Sequence, residues 1–542
     1  MTKRSHLFFI GLLIIIGIVM LIVVNPIGNF PLNDDWTYGA SVKASMAAGS
    51  FKVPDASACA IFTQVMWGIL FSKLFGFSYT ILRLSTLMLA GIGLIALYLL
   101  AYEITQNKKL SFFAALLLLV NPFYFSLSNT FMTDVPGLSL SILSCLFFFK
   151  ALSKSNSWYV ILGTFFSVAA ILTRQAAIII PLAYSFAVLF TQKNSYKHWA
   201  RIIIPPVFAN VVLFLFMSWM KHANPLFETY QGSASMFTFL KDIPGLVFRI
   251  FIRAGNILCY CGFFLLPILL FVIPKVFMTL SLRHKKIVSI CAIVFIPCII
   301  RMWSALPTGN LLNSDGLGPR LLRDTYLLFV NVHPVSDAII HLLVCLAMIG
   351  ALLTVVGCSI VLVNTASAIK RRAHTTDNSR RVFLLVFLLG YCMLVFMPFS
   401  FFDRYTLPAF FIILLVVISA VPASSYDKTW YTPILFTSFI GLFSIFSTHD
   451  YLAWNRARWQ ALDYLTKDMH VSPLRIDGGY EYNGVTFGSG HLSTEGKSWW
   501  YVSDDEFMIS FGPVDGCKII KQFDYCNYLP LKEDCIYIVQ RK

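Results

Sequence analysis

A polytopic α-helical membrane protein that ends in a small outer α/β domain follows from three features of this 542-residue sequence. The first is composition: 58% of the residues are hydrophobic and 13% charged, with a mean hydropathy of +0.74. Soluble domains carry about 25% charged residues, so the polar surface here is too small to wrap a chain of this size. Soluble enzymes, nucleic-acid binders and disulfide-rich secreted domains are thereby excluded. The second feature is a series of about thirteen apolar windows of roughly 20 residues each. The third is a change of composition after Ser447, beyond which no window is long enough to cross a bilayer.

The first window is Leu7–Val24, and the rest fall near 81–103, 112–131, 136–149, 158–172, 176–190, 202–220, 251–274, 287–303, 338–363, 383–399, 408–423 and 432–447. Lys3, Arg4 and His6 precede the first window. Its length and the lack of a small-residue cleavage site read as a retained helix rather than a signal peptide.

Orientation comes from the loops. One alternate set holds Lys108 with Lys109, Lys150 with Lys154, Lys193 with Lys197 and Arg201, and Arg283 with Lys285 and Lys286. It continues with Lys370, Arg371, Arg372, Arg380 and Arg381, and with Lys428. Such loops face the cytoplasm, as does the N-terminus, in a multi-pass plasma (inner) membrane. The net charge of +16 is then a topology signal first and only weakly a sign of a polyanion partner. The opposite loops hold Asp34, Asp35, Asp55, Asp134, Glu228, Asp242, Asp315, Asp324 and Asp403. An odd number of spans puts the C-terminus outside.

The transmembrane part is expected over residues 1–448, with a first outer loop near 25–80, and the outer domain over 449–542. Within the latter, Cys535–Gln540 alternates as a strand does, and Asn455–Leu465 reads as an amphipathic helix. Nine of the twelve cysteines precede residue 400, almost all in apolar windows where they act as small hydrophobes. Cys517, Cys526 and Cys535 lie in the outer domain, where one disulfide can persist. The sequence does not choose the pair, and three cysteines so widely spaced suit zinc poorly.

The chemistry concentrates after the first span, at Asn33-Asp34-Asp35-Trp36-Thr37-Tyr38-Gly39. Two adjacent carboxylates beside a membrane helix are costly unless solvated or used. Either Asn33 or Asp34 caps a helix running to about Ala48, or the pair abstracts a proton, since repulsion raises one pKa toward the working range. A second acid, Asp134, stands in Thr133-Asp134-Val135-Pro136 between two apolar windows. It too reads either as a helix start, with Pro136 in the first turn, or as a buried acid that asks for a partner.

The order of these elements resembles the GT-C membrane glycosyltransferases, in the branch of the protein O-mannosyltransferases and the lipid A aminoarabinose transferase. An acidic pair follows the first span, with Tyr38 opening an amphipathic helix. Phe75-Gly76-Phe77-Ser78 leads into Leu82-Arg83-Leu84-Ser85; Asn121-Pro122-Phe123 precedes the Asp134 loop; Asp403-Arg404-Tyr405-Thr406-Leu407-Pro408 resembles an Arg-Tyr-x-x-Pro motif at a late outer span end. Two departures bear on substrate identity. The stretch ahead of the Phe-Gly element reads Ala58-Cys59-Ala60-Ile61-Phe62-Thr63-Gln64, and the acidic pair is Asp-Asp rather than Asp-Glu.

The resemblance implies a sugar donor carried on a polyprenyl phosphate, an acceptor hydroxyl on a lipid, an envelope glycan or a protein, and inversion at the anomeric carbon. It implies Asp34 as the base, with Asp35 and Asp134 positioning the acceptor, the sugar or a cation. Donor or acceptor would meet Tyr38, Arg83, Arg174, Arg404 and Tyr405, arginine being favoured because its planar fork grips phosphate at two points. Arg320 and Arg323 in the long loop 304–335 are further candidates, and snorkelling or pairing with Asp403 or Asp324 competes with that role. A divalent cation (Mg or Mn), held by Asp34 and Asp134 if bound at all, is left open. His222, His333 and His449 are too scattered for a zinc site. The competing classes are a lipid-linked sugar flippase and a glycan polymerase or ligase of another fold. Mid-span windows almost free of charge disfavour the first, and the acidic pair after the first helix disfavours the second.

Overall fold

The computed structural model describes residues 2–53, 60–154, 156–190, 196–223, 242–309, 311–312, 336–371, 373, 375–398, 401–420, 431–488, 494–495, 497, 502–529 and 531–541. Several residues singled out above lie outside these: Asp55, Ala58, Cys59, Lys193, Glu228, Asp315, Arg320, Arg323, Asp324, His333, Arg372 and Lys428.

The chain is a helical membrane protein with a small four-stranded sheet near its end. Among the described residues eight helices are long and apolar enough to cross a bilayer, or nine if one bent pair counts as a single span. Several of the other expected windows form shorter or bent helices among the described residues, because hydropathy registers apolarity and not breaks. The window at 112–131 folds as α5 (Lys108–Leu119) and α6 (Pro122–Ser128), bent by 65°. Asn121 causes the break: its side chain caps the amides of Phe123 and Tyr124, and Pro122 occupies the first helical position. The windows at 158–172 and 176–190 form the shorter apolar helices Ser157–Ile171 (α8) and Gln175–Leu189, the latter opening as a 3-10 turn before α9 (Ile179–Leu189).

The long spans are α1 (Thr2–Val24), α4 (Tyr79–Thr105), α7 (Asp134–Ser153), α10 (Tyr196–Ala223), α11 (Ile243–Met278), α12 (Leu282–Ile300), α13 (Asp337–Lys370) and α14 (Thr376–Phe396). Helices α11 and α13 cross where Gly262 faces Gly350. A Cβ added at Gly262 would lie 2.2 Å from the Ala351 backbone nitrogen, so only a glycine permits this approach. The basic loop ends gather at one end of the bundle, where Arg380 pairs with Glu103 at 3.1 Å and Lys108 meets Ser5.

Two short helices, α2 (Asp35–Ala48) and α3 (Phe62–Phe75), follow α1 at the opposite end. There α15 (Thr406–Ser419) begins after a 3-10 turn at Asp403–Tyr405. Helix α16 (Tyr431–Asp463) then runs 33 residues without a break. The boundary expected at 448/449 falls inside it, and the amphipathic stretch Asn455–Leu465 is its continuation rather than a separate helix. Its first half packs on α6, where Ser444 donates to the Val120 carbonyl at 2.6 Å, and its second half packs under the sheet.

The sheet has the order β1-β2-β4-β3, from β1 (Ile476–Asp477), β2 (Phe507–Ser510), β3 (Cys517–Tyr528) and β4 (Leu531–Arg541). Cys535–Gln540 lies within β4 as expected. Helix α17 (Tyr480–Phe487) links β1 toward β2. The expected disulfide does not form: Cys517, Cys526 and Cys535 are all free. Cys517 stands opposite Arg541 at one end of the ladder, while Cys526 faces Glu533 and Cys535 faces Asp524, so no two cysteines are direct partners.

Candidate active site

Asp34 occupies the N-cap position of α2, yet its side chain makes no capping bond. The carboxylate turns elsewhere. Its Oδ1 accepts from the Tyr480 hydroxyl at 2.9 Å, and its Oδ2 lies 3.5 Å from Arg404 Nη2. Asp134 is likewise the first residue of α7, and its Oδ1 is paired with Arg174. Among the described residues its Oδ2 is buried with no hydrogen-bond partner. Both acids therefore sit at the positive ends of helices, where negative charge is favoured.

Arg404 joins the two. It is 9% exposed, stacks over Phe402 at 4.9 Å, and feels the charges of both Asp134 and Asp34. Burial alone lowers its pKa, but the two carboxylates outweigh burial and hold the guanidinium charged above its ordinary range. Arg174 lies over the Tyr405 ring at 5.4 Å. Asp134, Arg174, Arg404 and Tyr405 line one cavity, with apolar walls from Leu138, Ala177, Phe387 and Leu407. Such a mixed lining of charged and apolar side chains suits an amphiphilic molecule with an anionic head. Tyr38 is buried in α2 within electrostatic reach of Arg404.

Asp35 plays a different part from its neighbour. It is 2% exposed, and it accepts from the Phe131 amide at 2.9 Å and the Leu32 amide at 3.3 Å. Burial raises its pKa to about 7, against the lowering by these amides and by the Arg83 charge. Arg83 itself is 1% exposed and donates to the carbonyls of Pro26, Gly28 and Phe30. It braces the first outer loop and is not among the residues lining the cavity. Asp403, offered above as a rival partner for the Arg404 guanidinium, instead accepts from the amides of Leu311, Leu312 and Arg404. Burial raises it to about 6.

A divalent cation shared by Asp34 and Asp134 does not fit this arrangement. The Arg404 guanidinium is in reach of both carboxylates, and Arg174 covers one oxygen of Asp134, so an added metal would face two fixed cations.

Sequence reasoning missed two sets of residues. Arg249 and Arg253 line a second cavity of about 580 Å³ with Asn256, Thr308 and Phe401. Their four-residue spacing near the outer end of the 251–274 window is the signal that marks one helix face. Tyr480 and Glu481 come from the helix beside the C-terminal sheet, and nothing local to them hints at Asp34.

Residues 65–221 match the family model of the dolichyl-phosphate-mannose-protein mannosyltransferases, a segment that carries Arg83, Asp134 and Arg174. Among solved structures, ArnT from Cupriavidus metallidurans is similar at 12% identity in two crystal forms. The form bound to undecaprenyl phosphate has a TM-score of 0.43, covering 99% of this chain and 98% of that one. The apo form has 0.41, covering 98% and 97%. No curated protein sequence matches the chain.

Proposed function

We propose that this chain is a membrane glycosyltransferase of GT-C type that moves a sugar from a polyprenyl-phosphate donor to an acceptor hydroxyl on a lipid, an envelope glycan or a protein. The observation that carries this reading is the Asp34–Arg404 pair beside Asp134: a carboxylate that declines its capping role is held by an arginine that lines one apolar-walled cavity with a second, buried carboxylate. The donor named in the matching family's description, a dolichyl phosphate sugar, agrees with it.

Donor phosphate competes with Asp34 for Arg404 and with Asp134 for Arg174. The 3.5 Å contact between Asp34 and Arg404 is long for an ion pair, so phosphate displaces it readily. Asp34 Oδ2 is then free to take the proton of the acceptor hydroxyl. As that proton leaves, the acceptor oxygen bonds to the anomeric carbon; the bond from that carbon to the phosphate oxygen breaks, and its electron pair departs with the polyprenyl phosphate. One displacement inverts the configuration. Asp134, through its unpaired Oδ2, accepts a sugar hydroxyl, and Asp35 holds the two acidic loops together. Arg404, Arg174 and Tyr405 hold the phosphate end, and Tyr38 supports Arg404.

The site lies on the outer face of the plasma (inner) membrane, with the N-terminus cytoplasmic. The positive-inside pattern and the gathering of basic loop ends opposite the acids support this orientation.

The test is turnover of full-length protein in membranes given a polyprenyl-phosphate-linked sugar. Asp34→Asn is expected to lower it by about 100-fold or more, the usual scale for loss of a positioned base. Undiminished turnover overturns the assignment of the base. Mass spectrometry of envelope glycolipids from cells with and without the protein identifies the acceptor class.

A further inference from the structure

Asp34 takes its orientation from a part of the chain far away in sequence. Helix α17 belongs to the outer domain, yet it packs on α2. Gly484 faces the Trp36 indole so closely that an added Cβ would lie 2.6 Å from the ring, and the Tyr480 ring meets the same indole edge-on at 5.9 Å. Next in the helix, Glu481 receives Arg458 Nη1 at 2.9 Å on one oxygen and the Asn33 amide at 3.0 Å on the other. Arg458 is itself anchored on the Gly478 carbonyl. Asn33 stands at a φ of 53°, the left-handed conformation that asparagine tolerates better than most residues, and its side chain donates to the Tyr451 hydroxyl at 3.2 Å. The outer domain thus holds the bend just before Asp34, and Tyr480 holds the carboxylate itself.

We propose that Tyr480 is a positioning residue for the reaction, so that the outer domain completes the active site instead of merely covering it. The inference rests on Asp34 being the base. A base has to present one defined oxygen to the acceptor, and a free carboxylate rotates. With Oδ1 held by the Tyr480 hydroxyl, departure of Arg404 to the donor phosphate leaves Oδ2 as the one oxygen facing the acceptor.

Tyr480→Phe removes the hydroxyl and keeps the ring on Trp36. In the full-length protein it is expected to lower kcat by about tenfold with the donor KM unchanged, the scale of one hydrogen bond to a charged group. A structural role alone would lower the amount of folded protein and leave kcat per folded molecule, and its split from KM, unchanged. Wild-type kcat in Tyr480→Phe, beside an inactive Asp34→Asn, overturns the positioning role only. Wild-type turnover of Asp34→Asn overturns the base assignment, and this inference with it.

Discussion

The Asp35 carboxylate accepts the Phe131 backbone amide at 2.9 Å, and this single bond ties the loop bearing Asp34 to the loop bearing Asp134. Two adjacent acids with the same chemistry therefore divide the work. One is held by a tyrosine and by an arginine that lines the cavity; the other is sealed in and bonded to backbone.

The sealed carboxyl should leave a mark on stability. Its folded pKa, about 7, lies above the ordinary 3.8. A group shifted upward contributes fully below its unfolded value, and the contribution is lost as pH rises through the folded value. Asp35→Asn keeps one acceptor and removes the titration. Its apparent melting temperature in detergent should fall less than that of the wild type between about pH 4 and 7. Parallel curves for the two proteins would refute the shift. Asp35→Ala leaves two buried amides unpaired and should cost about 1–3 kcal/mol for each.

Arg404→Lys keeps the charge and loses the planar fork. The donor KM should rise by about tenfold or more, with a further fall in kcat, because a single ammonium cannot serve the phosphate and the two acids alike. Steady-state kinetics with varied donor decides it; an unchanged KM would place the phosphate elsewhere, with the second cavity at Arg249 and Arg253 the next site to mutate.

Turnover should survive exhaustive treatment with EDTA. The argument is one of charge: Arg404 and Arg174 already neutralise the carboxylates that a metal would need. Loss of activity that is restored by Mg or Mn would show that the arginines move aside for a cation.

Asp403 supports Arg404 through backbone alone, by accepting the amides of Leu311, Leu312 and Arg404. Asp403→Ala should lower both the melting temperature and kcat/KM, the latter by about tenfold, as three amides lose their acceptor. Asp403→Asn, which can still accept, should be milder. Equal effects for both variants would mean that charge, not hydrogen bonding, is what the turn requires.

Much of the site was legible because polar residues stand out against apolar windows. Asp34, Asp134 and Arg404 are each an acid or a base at the edge of a long hydrophobic run, and each is where such a residue needs a reason. Arg83 shows the limit of that logic. A buried arginine that bonds three carbonyls and one aimed at a ligand look alike in sequence, since backbone acceptors have no sequence signature. Tyr480 was illegible for another reason: it stands 446 positions from Asp34, and only the fold brings them together. The bend at Asn121 was hidden from the window reading, because a capping side chain ends a helix without lowering the hydropathy of the window around it.

Helix α16 is 33 residues of unbroken rod, about 50 Å at 1.5 Å per residue. With one foot wedged among the spans and the other beneath the sheet, it joins the two as one rod. The sheet domain that carries Tyr480 therefore stands on the same strut as the spans, with no loop in that strut to act as a hinge.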